Sequence, residues 1–412
     1  MNILILGYAC SPNCGSEPGK TWELATGLAR ANRVSVITHV RWREQIEKGR
    51  EGIENPNLTF YYVGLPYWLD PWKRFGQDTM AAIRYSLWQV AAFLRARAQV
   101  KSERFDVAHH ISWGTVTGPT FGWALGLPFV WGPLGGGHVA PLQMWRYLRG
   151  GWLKEAFRNL RVKSARVMPW ARLAASHASV TIASNPETGE LLESLGATHV
   201  LRYPCAGVAD AWFSNREPAR NGDREPQLTW VGRLEPHKAP ALAIEAFALV
   251  RRKYPSRLVI LGAGPLWSRC RCLARELGVG DCVEFRGAVP YQAVRAELVR
   301  SHAFIFTSLR DTFPQTVLEA MACCTPVVAL DHQGLGILPQ NSVVRVPLNE
   351  PRQVAPRLAH ALERLLASEP ARREAALKGW DAAQAQRWGC RVDYFLDLYR
   401  RSIEHFEVPC LG

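Results

Sequence analysis

The chain has 412 residues, of which 48% are hydrophobic and 21% charged, values that fit an ordinary globular protein of two or three domains. Its net charge of +14 at pH 7 predicts an anionic partner: a nucleic acid, an acidic membrane surface or a phosphorylated substrate. The first apolar run follows Met1 and Asn2 without a basic leader, and no eighteen apolar residues are consecutive. We therefore expect no export signal and no membrane-spanning helix, but a cytoplasmic protein that is soluble or peripheral on the inner face of the membrane.

Short apolar runs in the first half alternate with turns and amphipathic segments, the order typical of parallel sheets covered by helices. Helices are predicted over about 20–31 and 76–99. Strands are predicted at 2–7, 34–38, 58–63, 105–110, 128–131, 179–183 and 199–201.

The second half repeats this α/β pattern after a polar, proline-bearing stretch at 214–226, which we interpret as a linker. Its strands are predicted at about 228–231, 257–261, 282–285, 303–307 and 326–330. Two α/β units in tandem predict two Rossmann-like domains that face each other across a cleft, with ligands at the carboxyl ends of the strands. The expected division is an N-terminal acceptor-binding domain (1–213), the linker, a C-terminal nucleotide-sugar-binding domain (227–385) and a final helix crossing back to the first domain (386–412).

Residues 141–172 form a basic and aromatic segment, with eight Lys or Arg against one acid, Glu155. Leu153, Phe157 and Leu160 fall at helical spacing within it. A basic helix with such a face can lie on an anionic membrane surface. It could equally pack its apolar side on the domain and leave its charges in water.

A cationic motif, VGRLEPHK, occupies residues 231–238. Arg233 and Lys238 follow a strand and stand close to the start of a helix, where positive charge suits a diphosphate. The alternative is a surface Arg and Lys beside a turn.

An acidic motif, SLRDTFPQTVLEAMA, occupies residues 308–322. Asp311 lies on the loop after a strand, and Glu319 lies about one turn into the following helix. This spacing lets one carboxylate reach a sugar and the other a ribose, while the helix N-terminus faces the phosphates. The alternative is a capping Asp and an unrelated helical Glu.

Three first-half residues complete the candidate set. His110, at a strand end, can donate a hydrogen bond to a sugar hydroxyl or stabilise developing charge, although His110, or more readily His109, could be a core histidine. Gly15 lies in a turn before a helix, where a small residue permits close approach of a phosphate or acceptor. Glu17 could bind an acceptor hydroxyl or belong to a simple turn.

On these motifs the sequence resembles the retaining GT-B glycosyltransferases of family 4. The likeness covers about 226–400, where the VGRL…K and FP…LEAMA…PVVA runs follow the family order, and it is weaker in the first half, through Gly15 and DVAHHISWG. It implies Arg233 and Lys238 at the donor diphosphate, Glu319 at the ribose, the amides of Gln315 and Thr316 at the phosphates, the main chain of Val289 at the base and His110 at the donor sugar. Gly15, Asp311 and Phe313 complete the expected donor site, and His110, Asp311, Arg233 and Lys238 are the expected catalytic residues. The family usually has Glu where this chain has Asp311, so the carboxylate is withdrawn by about one methylene, which affects the donor sugar that is accepted.

The resemblance implies retaining transfer from a nucleoside-diphosphate sugar, with no essential metal or other cofactor. The expected acceptor is a glycan or lipid-linked molecule, in cell-surface polysaccharide biosynthesis. A sugar-nucleotide epimerase or hydrolase on the same scaffold and a non-catalytic membrane-docking protein are the alternatives. No nucleic-acid motif appears, so we expect no nucleic-acid partner.

Overall fold

The computed structural model describes residues 1–12, 16–51, 55–69, 80–218 and 225–406. The chain divides into two compact units. The first comprises Met1–Gly137, Arg161–Ala206 and Trp388–Gly412, and the second comprises His138–Leu160 and Gly207–Arg387. Residues 138–160 and 207–213, predicted to belong to the N-terminal domain, group with the second unit.

A seven-stranded parallel sheet forms the centre of the first unit, in the order β3-β2-β1-β4-β5-β6-β7. Ile3 of β1 pairs with Val34 of β2 on one side and with Val107 of β4 on the other. The central strands are buried on both faces, which is why they appear as continuous apolar runs. The strands are β1 (Asn2–Gly7), β2 (Arg33–His39), β3 (Leu58–Val63), β4 (Val107–Ser112), β5 (Phe129–Leu134), β6 (Val180–Ala183) and β7 (Val200–Arg202).

The helices of the first unit are α1 (Ser16–Leu28), α2 (Arg43–Arg50), α3 (Ala81–Ser102), α6 (Pro169–His177), α7 (Pro186–Ser194) and α14 (Trp388–Glu404). The start of helix α7 is set by its sequence: the Asn185 side chain caps the helix by accepting a hydrogen bond from the Thr188 N–H at 2.9 Å. Helix α14 packs beside α1, and its Tyr399 hydroxyl lies 2.6 Å from Nδ1 of the buried His109. The last predicted helix thus belongs to the first unit.

A six-stranded parallel sheet forms the centre of the second unit, in the order β10-β9-β8-β11-β12-β13. The strands are β8 (Gln227–Val231), β9 (Arg257–Leu261), β10 (Val283–Gly287), β11 (Ala303–Phe306), β12 (Val327–Leu330) and β13 (Val344–Val346). The helices are α4 (Trp145–Leu148), α8 (Pro240–Arg251), α9 (Trp267–Glu276), α10 (Tyr291–Val299), α11 (Gln315–Ala322), α12 (Val354–Ala367) and α13 (Glu369–Gln384). Helix α5 (Trp152–Ser164) begins in the second unit and ends in the first.

The predicted α/β fold with two parallel sheets is confirmed, and each predicted strand is present. The edge strand β13, of three residues, was not predicted. Part of the predicted linker, 219–224, lies outside the described residues. Among the helices that the structure describes, none is long and apolar enough to cross a membrane.

Candidate functional site

Two loops of the second unit meet because β8 and β11 are adjacent parallel strands, whose carboxyl ends lie at the same edge of the sheet. The Leu309 N–H donates to the His237 carbonyl at 2.7 Å. The Thr307 hydroxyl lies 3.0 Å from the carbonyl oxygens of both Lys238 and Ala239. These bonds fix the cationic loop beside the acidic one.

Lys238 and Asp311 form an ion pair across the two loops, with Nζ 2.5 Å from Oδ2. Each side chain is about a quarter exposed, at 25% and 23%. The two motifs recognised separately in the sequence therefore supply opposite charges to one place, which a ligand can reach from solvent.

Arg233 lies on the same cationic loop but is directed into solvent. Its side chain is 78% exposed, and its guanidinium contacts the Glu235 carboxylate at 2.6 Å. It is a long and weakly restrained cation, free to move towards an anion that binds near the loop.

Glu319 occupies the buried face of α11, close to the start of that helix. Its Oε1 accepts from the Tyr291 hydroxyl at 2.6 Å and from Gln315 Nε2 at 2.9 Å. Burial raises the pKa of this carboxyl to about 7, against the opposing effect of the two hydrogen bonds. Tyr291 had no signal in the sequence, because only the fold brings α10 beside α11.

Helix α11 begins at Gln315, so the amides of Gln315 and Thr316 lie at its positive end. Phe313, just before the helix, is buried and supports the loop from the core. Val289 lies in the segment between β10 and α10, at the carboxyl edge of the same sheet.

Glycines allow the supporting loops to pack closely against the two motifs. Gly262 has φ +133°, and a Cβ there would stand 1.9 Å from the Gly232 carbonyl oxygen. A Cβ on Gly334 would stand 2.6 Å from the Thr312 oxygen and from Phe313 Cα. Both positions therefore require glycine, a requirement visible only when the neighbouring loop is known.

Two histidines of the second unit, His138 and His237, lie close to positively charged side chains. Burial, followed by the positive charges of Arg310 and Lys238, lowers the pKa of His237 to about 3. Burial and the charges of Arg158 and Arg310 lower the pKa of His138 to about 3. Both imidazoles are therefore neutral at pH 7, and the cations around them would attract an anion that binds nearby.

The remaining candidates lie in the first unit. His110 is buried, and burial together with the adjacent His109 lowers its pKa to about 3, so the ring is neutral. Nε2 of His110 lies 3.2 Å from the Ser112 carbonyl oxygen and 3.2 Å from the Tyr85 hydroxyl oxygen. Glu17 accepts from Lys20 Nζ at 2.8 Å. Gly15 lies outside the described residues.

His109 is a core histidine that ties β4 to its neighbours. Its Nε2 donates to the Gly132 carbonyl at 2.6 Å, and its Nδ1 accepts from Tyr399. Both ring nitrogens are satisfied, which accounts for its burial.

The basic segment 141–172 buries only part of its apolar surface among the described residues. Tyr147 and Leu148 are buried in the core of the second unit. Leu153, Phe157 and Leu160, along one face of α5, are 73%, 71% and 64% exposed. An apolar stripe on a basic helix thus remains uncovered by the described residues.

Residues 213–379, which contain both motifs, match the family described as Glycosyl transferases group 1. The D-inositol 3-phosphate glycosyltransferase of Gordonia bronchialis is 32% identical over 213 residues, 46% of this chain and 44% of that protein. The chain thus matches less than half the length of this curated relative.

Solved structures resemble the chain over almost its whole length. Sucrose-phosphate synthase from Thermosynechococcus elongatus has a TM-score of 0.67 at 17% identity, covering 98% of this chain and all of that one. Anabaena Alr3699/HepE in complex with UDP and glucose has a TM-score of 0.61 at 16% identity, with coverage of 98% and 100%. The fold is therefore that of GT-B glycosyltransferases.

Proposed function

We propose that this protein is a retaining glycosyltransferase of family 4, which transfers a sugar from a nucleoside-diphosphate sugar to an acceptor hydroxyl. The observation that carries the proposal is the meeting of Lys238 and Asp311 on adjacent loops. The Asp311 loop leads to α11, where Glu319 and Gln315 interact. The family match over residues 213–379 supports it, as does the UDP and glucose bound by the Anabaena structure.

The donor would be held by groups of different chemistry along the carboxyl edge of the second sheet. Lys238 and Arg233 would bind the diphosphate together with the amides of Gln315 and Thr316. Glu319 would accept hydrogen bonds from both ribose hydroxyls. Val289 would contact the base through its main chain, and Phe313 would support the loop. Asp311 would exchange its bond with Lys238 for one with the donor sugar as the diphosphate takes over the cation.

Catalysis would rest on stabilising the leaving group. As the bond between the anomeric carbon and the diphosphate oxygen breaks, Lys238 and Arg233 would balance the charge that grows on that oxygen. The acceptor oxygen would form its bond on the same face of the sugar, and its proton would pass to the departing phosphate. Such a route needs no metal ion and no carboxylate nucleophile, so we propose that EDTA leaves transfer unchanged.

Roles for the first unit rest on the family resemblance. It assigns His110 to the donor sugar, and the neutral ring found here would form a hydrogen bond with a sugar hydroxyl. It also assigns Gly15 to the donor phosphates. Glu17 is our candidate for an acceptor hydroxyl.

The acceptor would be a glycan or a lipid-linked molecule used in cell-surface polysaccharide biosynthesis, with the enzyme peripheral on the cytoplasmic face of the membrane. The exposed stripe of Leu153, Phe157 and Leu160 supports this location, since it lies among basic residues. Apolar side chains would enter the interface while Lys and Arg meet anionic headgroups.

A transfer assay with radiolabelled nucleotide sugars and purified protein tests the assignment. Lys238→Ala and Glu319→Ala should each abolish transfer while the circular dichroism spectrum stays native. Lys253→Ala is the matched control, because Lys253 also pairs with a carboxylate, Glu363 at 2.9 Å, but on the surface. Full transfer activity in either site variant would refute the assignment.

Incubation with donor alone separates the alternative enzymes. Product mass spectrometry should show the donor unchanged until an acceptor is added. Conversion without acceptor would instead indicate a sugar-nucleotide epimerase or hydrolase. Failure to bind any nucleoside diphosphate would favour a non-catalytic membrane-docking protein.

A further inference from the structure

Helix α5 presents two different faces. Glu155 and Asn159, one turn apart, are both buried against the second unit. Leu153 and Phe157 lie on the opposite side and are exposed. The buried face carries polar groups, and burial of polar groups is unfavourable unless each finds a specific partner.

Glu155 finds its partner in the acidic motif. Both carboxylate oxygens of Glu155 accept hydrogen bonds from the Arg310 guanidinium: Nε lies 2.8 Å from Oε2, and Nη2 lies 3.1 Å from Oε1. The two side chains are 5% and 18% exposed, so this bidentate pair is shielded from water. Arg310 directly precedes Asp311, and the only acid of the basic segment therefore anchors the residue next to the proposed sugar-binding carboxylate.

A second connection joins Asp311 to helix α5. Gln333 accepts the Asp311 N–H at 2.7 Å and donates through Nε2 to the Val139 carbonyl at 2.8 Å. Asn159 in turn holds Ala140 by accepting its N–H at 3.3 Å and donating to its carbonyl at 3.1 Å. The backbone of Asp311 is thus linked to α5 through two independent sets of hydrogen bonds.

We propose that Glu155 is a positioning residue for the donor sugar: it fixes Arg310, and through it the placement of the Asp311 carboxylate. The inference rests on the proposed function, because it assigns Asp311 to the sugar. Asp311 has a shorter reach than the Glu usual in the family, so its backbone must be held more closely in place. The nucleotide, held by Lys238 and Glu319, does not depend on this connection.

The chain offers a matched control in Glu245. This carboxylate also anchors residues of the basic segment to the second unit. It accepts hydrogen bonds from Arg146 Nη2 at 2.5 Å and from the Tyr147 hydroxyl at 2.7 Å. It lies on α8, however, and its partners do not adjoin Asp311. Removing its charge loosens the same segment without touching the acidic motif.

Steady-state kinetics of Glu155→Gln and Glu245→Gln test the proposal in the full-length protein. We expect Glu155→Gln to lower kcat by roughly 10-fold or more, with the Kd of the free nucleoside diphosphate within about twofold of wild type. Glu155→Asp should recover part of kcat, and Glu245→Gln should retain both values. In an Asp311→Asn background, Glu155→Gln should lower kcat little further, since the carboxylate that Glu155 positions is gone. The proposal would be overturned if Glu155→Gln weakened nucleotide binding by the same factor as it lowers kcat. It would also be overturned if the effects of Glu155→Gln and Asp311→Asn on kcat were fully additive in free energy.

Hydrogen exchange separates this inference from the proposed function. Peptides covering 308–314 should exchange faster in Glu155→Gln than in wild type or in Glu245→Gln, whether or not a donor has been found. Wild-type protein without any transferase activity would refute the proposed function and leave the exchange result to decide the anchoring. Unchanged exchange over 308–314 would refute the positioning role of Glu155 even in an active enzyme.

Discussion

Glu319→Gln should stabilise the protein at neutral and alkaline pH while weakening nucleotide binding. The Glu319 carboxyl is buried, and burial raises its pKa from 4.5 to about 7. The amide is nearly the same shape, can still accept from Tyr291 and carries no charge to bury. The substitution should therefore stabilise the fold but remove a negative charge that would bind the nucleotide.

The magnitude follows from the two pKa values. The pKa is higher in the folded protein than in the unfolded chain, so no cost arises below pH 4.5, where both states are protonated. As pH rises from 4.5 to 7 the unfolded chain ionises first and stability falls, and above 7 the full cost is present. A shift of this size corresponds to about 3 kcal/mol, since one pKa unit is worth about 1.4 kcal/mol.

Urea unfolding of wild type and Glu319→Gln at several pH values measures this cost. The free energy of unfolding of the variant relative to wild type should rise by about 3 kcal/mol between pH 4.5 and pH 8. Glu276→Gln, at the exposed end of α9, should show no such trend. Calorimetric titration at pH 8 should show weaker nucleoside-diphosphate binding by Glu319→Gln, because the charged acceptor for the ribose hydroxyls is lost. A difference in stability that is flat with pH, or unchanged nucleotide affinity, would refute the reasoning.

Three further predictions concern neighbouring features. Tyr291→Phe removes a hydroxyl that lowers the pKa of Glu319, so the pH at which nucleotide affinity reaches half its maximum should move upward; an unchanged affinity profile would contradict this. Gly262→Ala should destabilise the fold by about 2 kcal/mol or more in urea, since the new Cβ would clash with the Gly232 carbonyl at positive φ; wild-type stability would contradict the packing. Phe157→Ser should reduce cosedimentation with phosphatidylglycerol vesicles several-fold and leave nucleotide binding intact, whereas undiminished cosedimentation would exclude α5 as the membrane contact.

Local patterns in the sequence predicted the strands because buried parallel strands are short apolar runs between turns. Asn2–Gly7 and Leu58–Val63 were predicted to the residue. Edge strand β13 was missed, whereas β7, which also has three residues, was predicted at 199–201. Strands buried on both faces, such as β1, gave the clearest local signal.

The two motifs predicted that Lys238 and Asp311 lie at the same edge of the sheet, and the structure pairs these two side chains. The supporting residues could not be predicted. Glu155 is 155 positions from Arg310, and Gln333 is 194 positions from Val139. Neither carries a local signal, since each acquires its role from a contact that only the folded chain creates.

Nucleoside-diphosphate binding to the second unit is the central claim, and calorimetric titration of the full chain with UDP, GDP and ADP tests it most directly. At least one should bind with a micromolar Kd, and Lys238→Ala should weaken that binding at least tenfold while Lys253→Ala does not. If none of the three binds at millimolar concentration, or if Lys238→Ala binds as well as wild type, the site described here does not hold a sugar nucleotide.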